Sequence, residues 1–499
     1  MDNGQGAITP PWTIELADLG RYLVQNVGPT EQEEMGMAST EEAQRTEAST
    51  LQDLGRRHLW MHFTRMGAYT DQDMPIITRG EGCYVYDDKG NRYLDGLSAL
   101  FCVNIGHGRA DLVQAGAEQA KELGFYTNWS YAHPRAIELS ARIAGLAPGD
   151  LNRVFFTSGG SEAVESAIKL SRQYHKVTGN PLKTKHIARD IAYHGTSMGA
   201  LSATGITSLR QPFEPLMPGG CHVPNTNTFR LPHGMSAGDL ADTVATRIEF
   251  EGPDTVAAVI MEPIQNAGGC FTPPEGYFQR VREICDYYNV LMISDEVICA
   301  WGRLGEWFGA QRYDYQPDII TTAKALTSAY APMGAMIVSD RVAEPFMHGA
   351  ESFTHGITFA GHPVCAAIAL ANLDAMEREG ILENVRNHED DFESMLESLR
   401  DIPIVGDVRG AGYFRAIELV KDQDTSEQWS DEESETLLRG FLSGELYRRG
   451  LICRADDRGD PVIQLSPPLI AGPKQFEEIE AILRPVLTEA HGRMHAHSA

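Results

Sequence analysis

Apolar and polar positions along the chain fall into three textures. Over residues 1–50, Glu31, Glu33, Glu34, Glu41, Glu42 and Glu47 cluster with Ser, Thr and Gln, and only Leu16 to Val27 shows helical apolar spacing. This stretch is expected to be a surface arm that packs on a neighbouring subunit. From Gly82 to Asp95 the pattern predicts two short strands around a turn holding Asp88, Gly90 and Asn91. Between 110 and 375 apolar runs alternate with helical patterns, which predicts an α/β large domain with a mostly parallel sheet and flanking crossover helices. After 376, helices mix with short strands at Ile404–Val408, Phe414–Leu419 and Val462–Leu465, the texture of a smaller α+β domain. The expected organisation is an extension over 1–50, a small domain built from 51–105 and 376–499, and the large domain over 106–375. Asp422 to Glu435 reads as an acidic surface loop that leads into a helix.

Ligands of an open parallel sheet bind outside the carboxyl ends of its strands. Three apolar runs end in a polar residue: Val256–Met261 at Glu262, Val290–Ser294 at Asp295, and Asp318–Ala323 at Lys324. Parallel strands place all three side chains on one edge. A fourth run, Arg153–Thr157, leads through Ser158-Gly159-Gly160-Ser161-Glu162 into a helical stretch, Ala163 to Val177. A strand, a glycine-rich turn and a helix form an anion-binding arrangement, because the free N–H groups and the helix dipole both favour phosphate. The nucleotide-binding pattern GxxxxGK[ST] is absent.

Composition narrows the chemistry. The chain has 499 residues with 42 basic and 69 acidic side chains, a formal charge of −27, which excludes the basic footprint that nucleic acid or an anionic membrane surface needs. An apolar content of 42% excludes disorder of the whole chain. No run of eighteen apolar residues exists, and Met1-Asp2-Asn3-Gly4 does not open a secretory signal. The eight cysteines contain no CxxC pair and read as reduced thiols of a cytoplasmic protein. HExxH is absent, and His495 and His497 read as a frayed tail, so no metal is expected. Nine lysines stand against 33 arginines, and Lys324 is the single lysine between Lys185 and Lys421. The acid-rich, lysine-poor balance fits salt adaptation and a GC-rich source equally.

A phosphate turn, a buried lysine and a buried carboxylate suit pyridoxal 5′-phosphate. The amine forms a Schiff base with the aldehyde, and an aspartate keeps the pyridine nitrogen protonated so that the ring takes up electrons from a substrate carbanion. Tyr193-His194-Gly195 supplies an aromatic cover for one ring face, with Gly195 allowing close approach.

With these motifs in order, the chain resembles the class III (omega) aminotransferases of fold type I, from about Trp60 to about Leu483. The similarity rests on Asp95-Gly96-Leu97, Ser158–Glu162, Tyr193-His194-Gly195, Glu262-Pro263-Ile264-Gln265, Asp295-Glu296-Val297, Lys324 and His355–Phe359. The resemblance implies Lys324 as the Schiff-base lysine and proton shuttle, Asp295 at the pyridine nitrogen and Glu262 as a third catalytic group. It implies a cofactor site of Gly159, Gly160, Ser161, Tyr193, His194 and Val297. Thr358 is implied to reach the phosphate of the neighbouring subunit, which makes a homodimer or dimer of dimers with shared sites. Arg454 matches an arginine that grips a substrate carboxylate. Phe101, Trp60, Trp129 and Tyr126 match pocket walls. Two positions depart from the family pattern: Ile298 stands where many members carry glutamine, and Ala267 where some carry a glutamate that neutralises the arginine. The second departure favours the amine or ω-amino acid:pyruvate branch. The expected reaction is a ping-pong transfer from a small amine donor to an oxo acid. Aminomutase, racemase and decarboxylase chemistry on the same cofactor, and a non-catalytic oligomeric scaffold, remain as alternatives. Cys102 and Cys299 read as inert buried thiols.

Overall fold

The computed structural model describes residues 51–348, 351–456 and 458–496. The expected arm over 1–50, its helical stretch Leu16 to Val27, and His497 lie outside these residues. The chain divides into two units, 1–76 and 77–499, and the boundary falls inside the segment 51–105 assigned to the small domain from sequence. In the first unit, residues 51–58 are helical. Gln52 is buried and clasps Met74, donating to its carbonyl at 2.8 Å and accepting from its N–H at 2.9 Å.

Among its described residues the second unit contains fifteen strands: β1 (Ile77–Glu81), β2 (Tyr84–Asp87), β3 (Arg92–Asp95), β4 (Leu151–Thr157), β5 (Lys185–Arg189), β6 (Gly220–Val223), β7 (Val256–Met261), β8 (Leu291–Asp295), β9 (Ile319–Thr322), β10 (Gly334–Ser339), β11 (Val405–Ala411), β12 (Phe414–Leu419), β13 (Leu451–Ile452), β14 (Arg454–Asp456) and β15 (Val462–Leu465). Seven of them form a sheet in the order β4-β10-β9-β8-β7-β5-β6. Neighbours from β9 to β6 pair in parallel, and β10 runs antiparallel to both β9 and β4. Hence β4 points the same way as β7, β8 and β9, and its glycine turn opens on their carboxyl edge.

This sheet is covered on both faces, which is why its strands read as unbroken apolar runs. Successive residues of a strand face opposite sides. Ala258 and Ile260 of β7 pack with Ile293, Ile319 and the helix Gly160–Val177. Val259 and Met261 pack with Met292 and the helix Tyr277–Tyr288. Full burial of an isoleucine such as Ile260 is worth roughly 1.5–3 kcal/mol over exposure, so a register slip of one residue costs that sum along the strand. Cross-strand register then fixes the edge: Met261 lies beside Ser294, and Asp295 beside Thr321.

Two smaller sheets complete the unit. One has the order β1-β2-β3-β13, with β13 parallel to β3, so the C-terminal segment returns beside the first strands. The other has the order β11-β12-β15-β14 and is antiparallel. His495 lies in the helix Pro473–Ala496, with its ring 4.3 Å from that of His491, and is not part of a frayed tail.

Candidate active site

Along the carboxyl edge of the large sheet lies a cavity of about 210 Å³, lined by Gly160, Ser161, Tyr193, Glu262, Asp295 and Lys324 among others. The four strand ends singled out in the sequence therefore converge. Asp295 is 4% exposed. Its Oδ2 lies 2.7 Å from His194 Nδ1, and its Oδ1 accepts from the Val297 N–H and the Thr321 hydroxyl, both at 3.2 Å. A carboxylate has about four acceptor positions. Three are taken, and one remains for an N–H donor in the cavity.

Lys324 follows β9 with φ at +44°, an uncommon conformation for a residue with a Cβ. Burial lowers its amine below the ordinary lysine value; Cys102 and Asp295 oppose this, Arg454 adds to it to a lesser degree, and Glu262 opposes it least. Glu262 is pushed up to about 7 by burial, partly offset by His194 and Arg189. Arg189, fully buried, donates to the Glu262 carbonyl at 2.5 Å and stands 3.8 Å from its Oε2. Glu262 thus pairs with an arginine and lines the cavity as well.

The phosphate turn is built by close packing. A Cβ on Gly160 would lie 2.8 Å from Val297 Cγ1, and one on Gly195, at φ +118°, would lie 2.4 Å from Ser161 Oγ. Glycine at these two positions lets the Tyr193 segment, the helix N-terminus and Val297 meet around one space. Ser161 Oγ lies 2.8 Å from Ser197 Oγ and accepts the Ser197 N–H at 3.1 Å. Burial raises the Tyr193 hydroxyl above its ordinary value, and the Arg458 guanidinium carbon lies 5.9 Å from its ring centre.

Phe101 is buried, and its ring centre lies 5.9 Å from Lys324 Nζ and 6.0 Å from the Arg454 guanidinium carbon. The cavity surface at this point belongs to its neighbour Leu100. Ile298 and Cys299 line the cavity too, and burial holds the Cys299 thiol well above its ordinary value. Leu100, Ile264 and Asn266 also line it and were given no site role from sequence. Ile264 and Asn266 follow Glu262 by two and four residues, so the strand end was a usable signal for them.

The remaining candidates sit elsewhere. Trp129, 77% exposed, packs near Gly356, and Tyr126 is exposed against Tyr131. Both lie between helices, on a segment that no strand carries to the sheet edge, so neither lines the cavity within one chain. Thr358 is exposed in a turn. Trp60 is exposed within the first unit.

Two buried polar atoms of the cavity lining, His194 Nε2 and Glu262 Oε2, have no hydrogen-bond partner. Such atoms call for a ligand or solvent. A helix N-terminus for a phosphate, a carboxylate position for a ring N–H and a lysine of lowered pKa fit pyridoxal 5′-phosphate. The sheet and this edge define a fold-type-I pyridoxal phosphate enzyme.

Comparison with known proteins identifies which one. The family described as Aminotransferase class-III matches residues 67–487. A probable aminotransferase of Mycobacterium tuberculosis is 56% identical over 454 residues, covering 90% of this chain and 97% of that protein. A putrescine–pyruvate aminotransferase of Pseudomonas aeruginosa is 39% identical over 444 residues, covering 88% and 96%. A solved (S)-enantioselective ω-transaminase from Thermomicrobium roseum superposes with a TM-score of 0.85 at 38% identity, covering 89% and 99%. The chain belongs to the class III aminotransferase family. It is a pyridoxal phosphate-dependent aminotransferase.

Proposed function

We propose that this enzyme moves an amino group from an amine or ω-amino acid to pyruvate. The observation that carries this reading is the convergence of Lys324, Asp295 and Glu262 on one cavity beside the Gly160 helix N-terminus. Gly159, Gly160 and Ser161 would hold the cofactor phosphate, Asp295 the ring N–H, and Tyr193 and Val297 the two ring faces. His194 orients Asp295 through the 2.7 Å contact. Pyridoxal phosphate, when bound, supplies an aldehyde that takes up the amino group and a ring that delocalises the electrons of the deprotonated carbon.

Lys324 Nζ, whose pKa burial lowers, removes the proton from the substrate carbon that bears nitrogen and later gives one back. Arg454 binds the oxo-acid carboxylate as a paired guanidinium donor. Support for pyruvate comes from the relative named for it and from Ala267, which offers Arg454 no carboxylate.

The assembly is a homodimer or a dimer of dimers. Phe125, Tyr126, Trp129, Tyr131 and Phe359 form an exposed aromatic surface around Thr358, an area that monomers rarely leave open. A cytoplasmic location accords with eight free cysteines. Among the described residues no helix is long and apolar enough to cross a membrane. Visible absorption of the purified holoenzyme tests the reading. The cofactor band should bleach with one class of amine and return with pyruvate, and the Lys324→Ala variant should do neither. A band that no amine bleaches would remove the transaminase assignment.

A further inference from the structure

The Asp95-Gly96-Leu97 motif precedes a backbone segment in which three residues that carry a Cβ adopt positive φ: Ser98 at 50°, Ala99 at 59° and Phe101 at 60°. Ala99, with φ at 59° and ψ at −73°, lies near the dihedrals of the rare, strained γ conformation. Such a conformation persists only where its surroundings over-determine it. Here they do so from two sides.

On one side, Asp95, 1% exposed, accepts the Ala99 N–H at 2.7 Å and the Leu97 N–H at 3.3 Å. Its Oδ2 also lies 2.8 Å from His107 Nε2. On the other side, Ser98 donates its hydroxyl to the Ser466 carbonyl at 2.6 Å and accepts from Arg303 Nη2 at 3.1 Å. The fully buried Arg303 also donates to Asn104 Oδ1 at 2.6 Å and to the Pro467 carbonyl at 2.6 Å. The strained turn presents Leu100 to the cavity and sets Phe101 between Lys324 and Arg454.

We propose that Asp95, Ser98 and Arg303 are positioning residues whose hydrogen bonds hold the strained Ser98–Phe101 turn, and that this turn sets donor selectivity by fixing the Leu100 and Phe101 wall. The inference rests on the cavity beside Lys324 being the transaminase site. Asp295 is anchored separately by the register of β8 with β9, and Lys324 follows the end of β9 by two residues. Loosening the turn therefore blurs the wall and leaves the proton-transfer machinery in place.

The test uses full-length holoenzyme carrying Asp95→Asn or Ser98→Ala. Pyruvate is the acceptor, and straight-chain, branched and arylalkyl amines are the donors. Loss of a hydrogen bond to the charged Asp95 predicts a roughly ten- to hundredfold rise in KM for the preferred donor, with kcat within about threefold of wild type because binding is lost without loss of the chemical step. The kcat/KM ratio between straight-chain and arylalkyl donors should shrink in both variants. Equal falls in kcat for every donor with the ratio unchanged, or no change in KM, would overturn the proposal. Should Asp95→Asn fail to fold, Ser98→Ala, which removes one hydroxyl and no charge, decides by the same ratio. Wild-type enzyme in the same assay separates the two claims: if it transfers no amino group, the assignment of the site fails, whereas an active wild type with unsplit variants sinks only the positioning role.

Discussion

Gly195→Ala probes the packing that makes the phosphate turn. The new methyl meets two penalties. At φ +118° a residue with a Cβ is strained, at a cost of about 1–3 kcal/mol. The methyl also falls 2.4 Å from Ser161 Oγ, 2.8 Å from Ser161 Cβ and 3.0 Å from Ser161 Cα. Overpacking of this kind costs about 1–3 kcal/mol. The backbone neighbour cannot rotate away, so Ser161 must shift at the position where it would hold phosphate. The lower end of the sum, about 2 kcal/mol, corresponds to a roughly 30-fold loss of cofactor affinity. Titration of apoenzyme with pyridoxal phosphate, followed by visible absorption, reads this directly, and thermal unfolding of the apoenzyme reports how much of the penalty falls on the fold. Ser161→Gly removes the two closest overlaps and keeps the φ strain. The double variant should therefore bind cofactor more tightly than additivity of the single changes predicts. Additive losses, or full affinity in Gly195→Ala, would refute the packing argument.

Asp295→Asn should retain cofactor and lower kcat about 100-fold or more, the lower range for loss of a positioned proton-holding group; stopped-flow bleaching of the cofactor band checks it, and an unchanged rate removes the role. Arg454→Ala should raise KM for pyruvate by about ten- to hundredfold, the worth of a charged hydrogen-bonded pair, and should change KM for a simple monoamine far less. Glu262 titrates near 7 in the folded chain against 4.5 for the free group. The fold then binds more protons than the unfolded chain between these values, so its stability falls as pH rises from about 4.5 to 7, by up to about 3.5 kcal/mol. Glu296, also raised to about 7 by burial, contributes in the same window. Urea unfolding of apoenzyme across this range should show a decline that is shallower in Glu262→Gln, and identical slopes would show that Glu262 stays ionised in the fold.

The edge of the large sheet was legible because a strand buried on both faces is a continuous apolar run, and a Glu, Asp or Lys at its end stands out in contrast. The same logic could not tell that β10 runs backwards, since Gly334–Ser339 reads like its parallel neighbours. Its direction comes from pairing with β9 and β4. The Ser98–Phe101 turn was hidden for a different reason. No Gly, Pro, Asn or Asp stands within it, and two of the groups that impose it, Arg303 and Ser466, are more than 200 and 360 residues away in sequence. Asp95 was visible as a motif without a role, because its role is a contact. Trp129 is exposed within one chain. A large aromatic between helices has the same appearance in sequence whether it walls a pocket or lies exposed.

The two halves of the site are held with unequal rigidity, and this bears on how one pocket takes both an amine and an oxo acid. Asp295 ends β8, and Lys324 follows β9 by two residues; both strands are paired on both sides within a covered sheet. Arg454 starts β14, an edge strand of three residues paired only with β15. Edge elements with few ladder bonds open at lower free energy than central ones. If Arg454 binds the oxo-acid carboxylate as proposed, an amine donor with an apolar tail would be accommodated by moving its side chain aside, and pyruvate would be bound by its return. A short edge strand would permit that motion at small cost, while central strand β8 holds Asp295 in place.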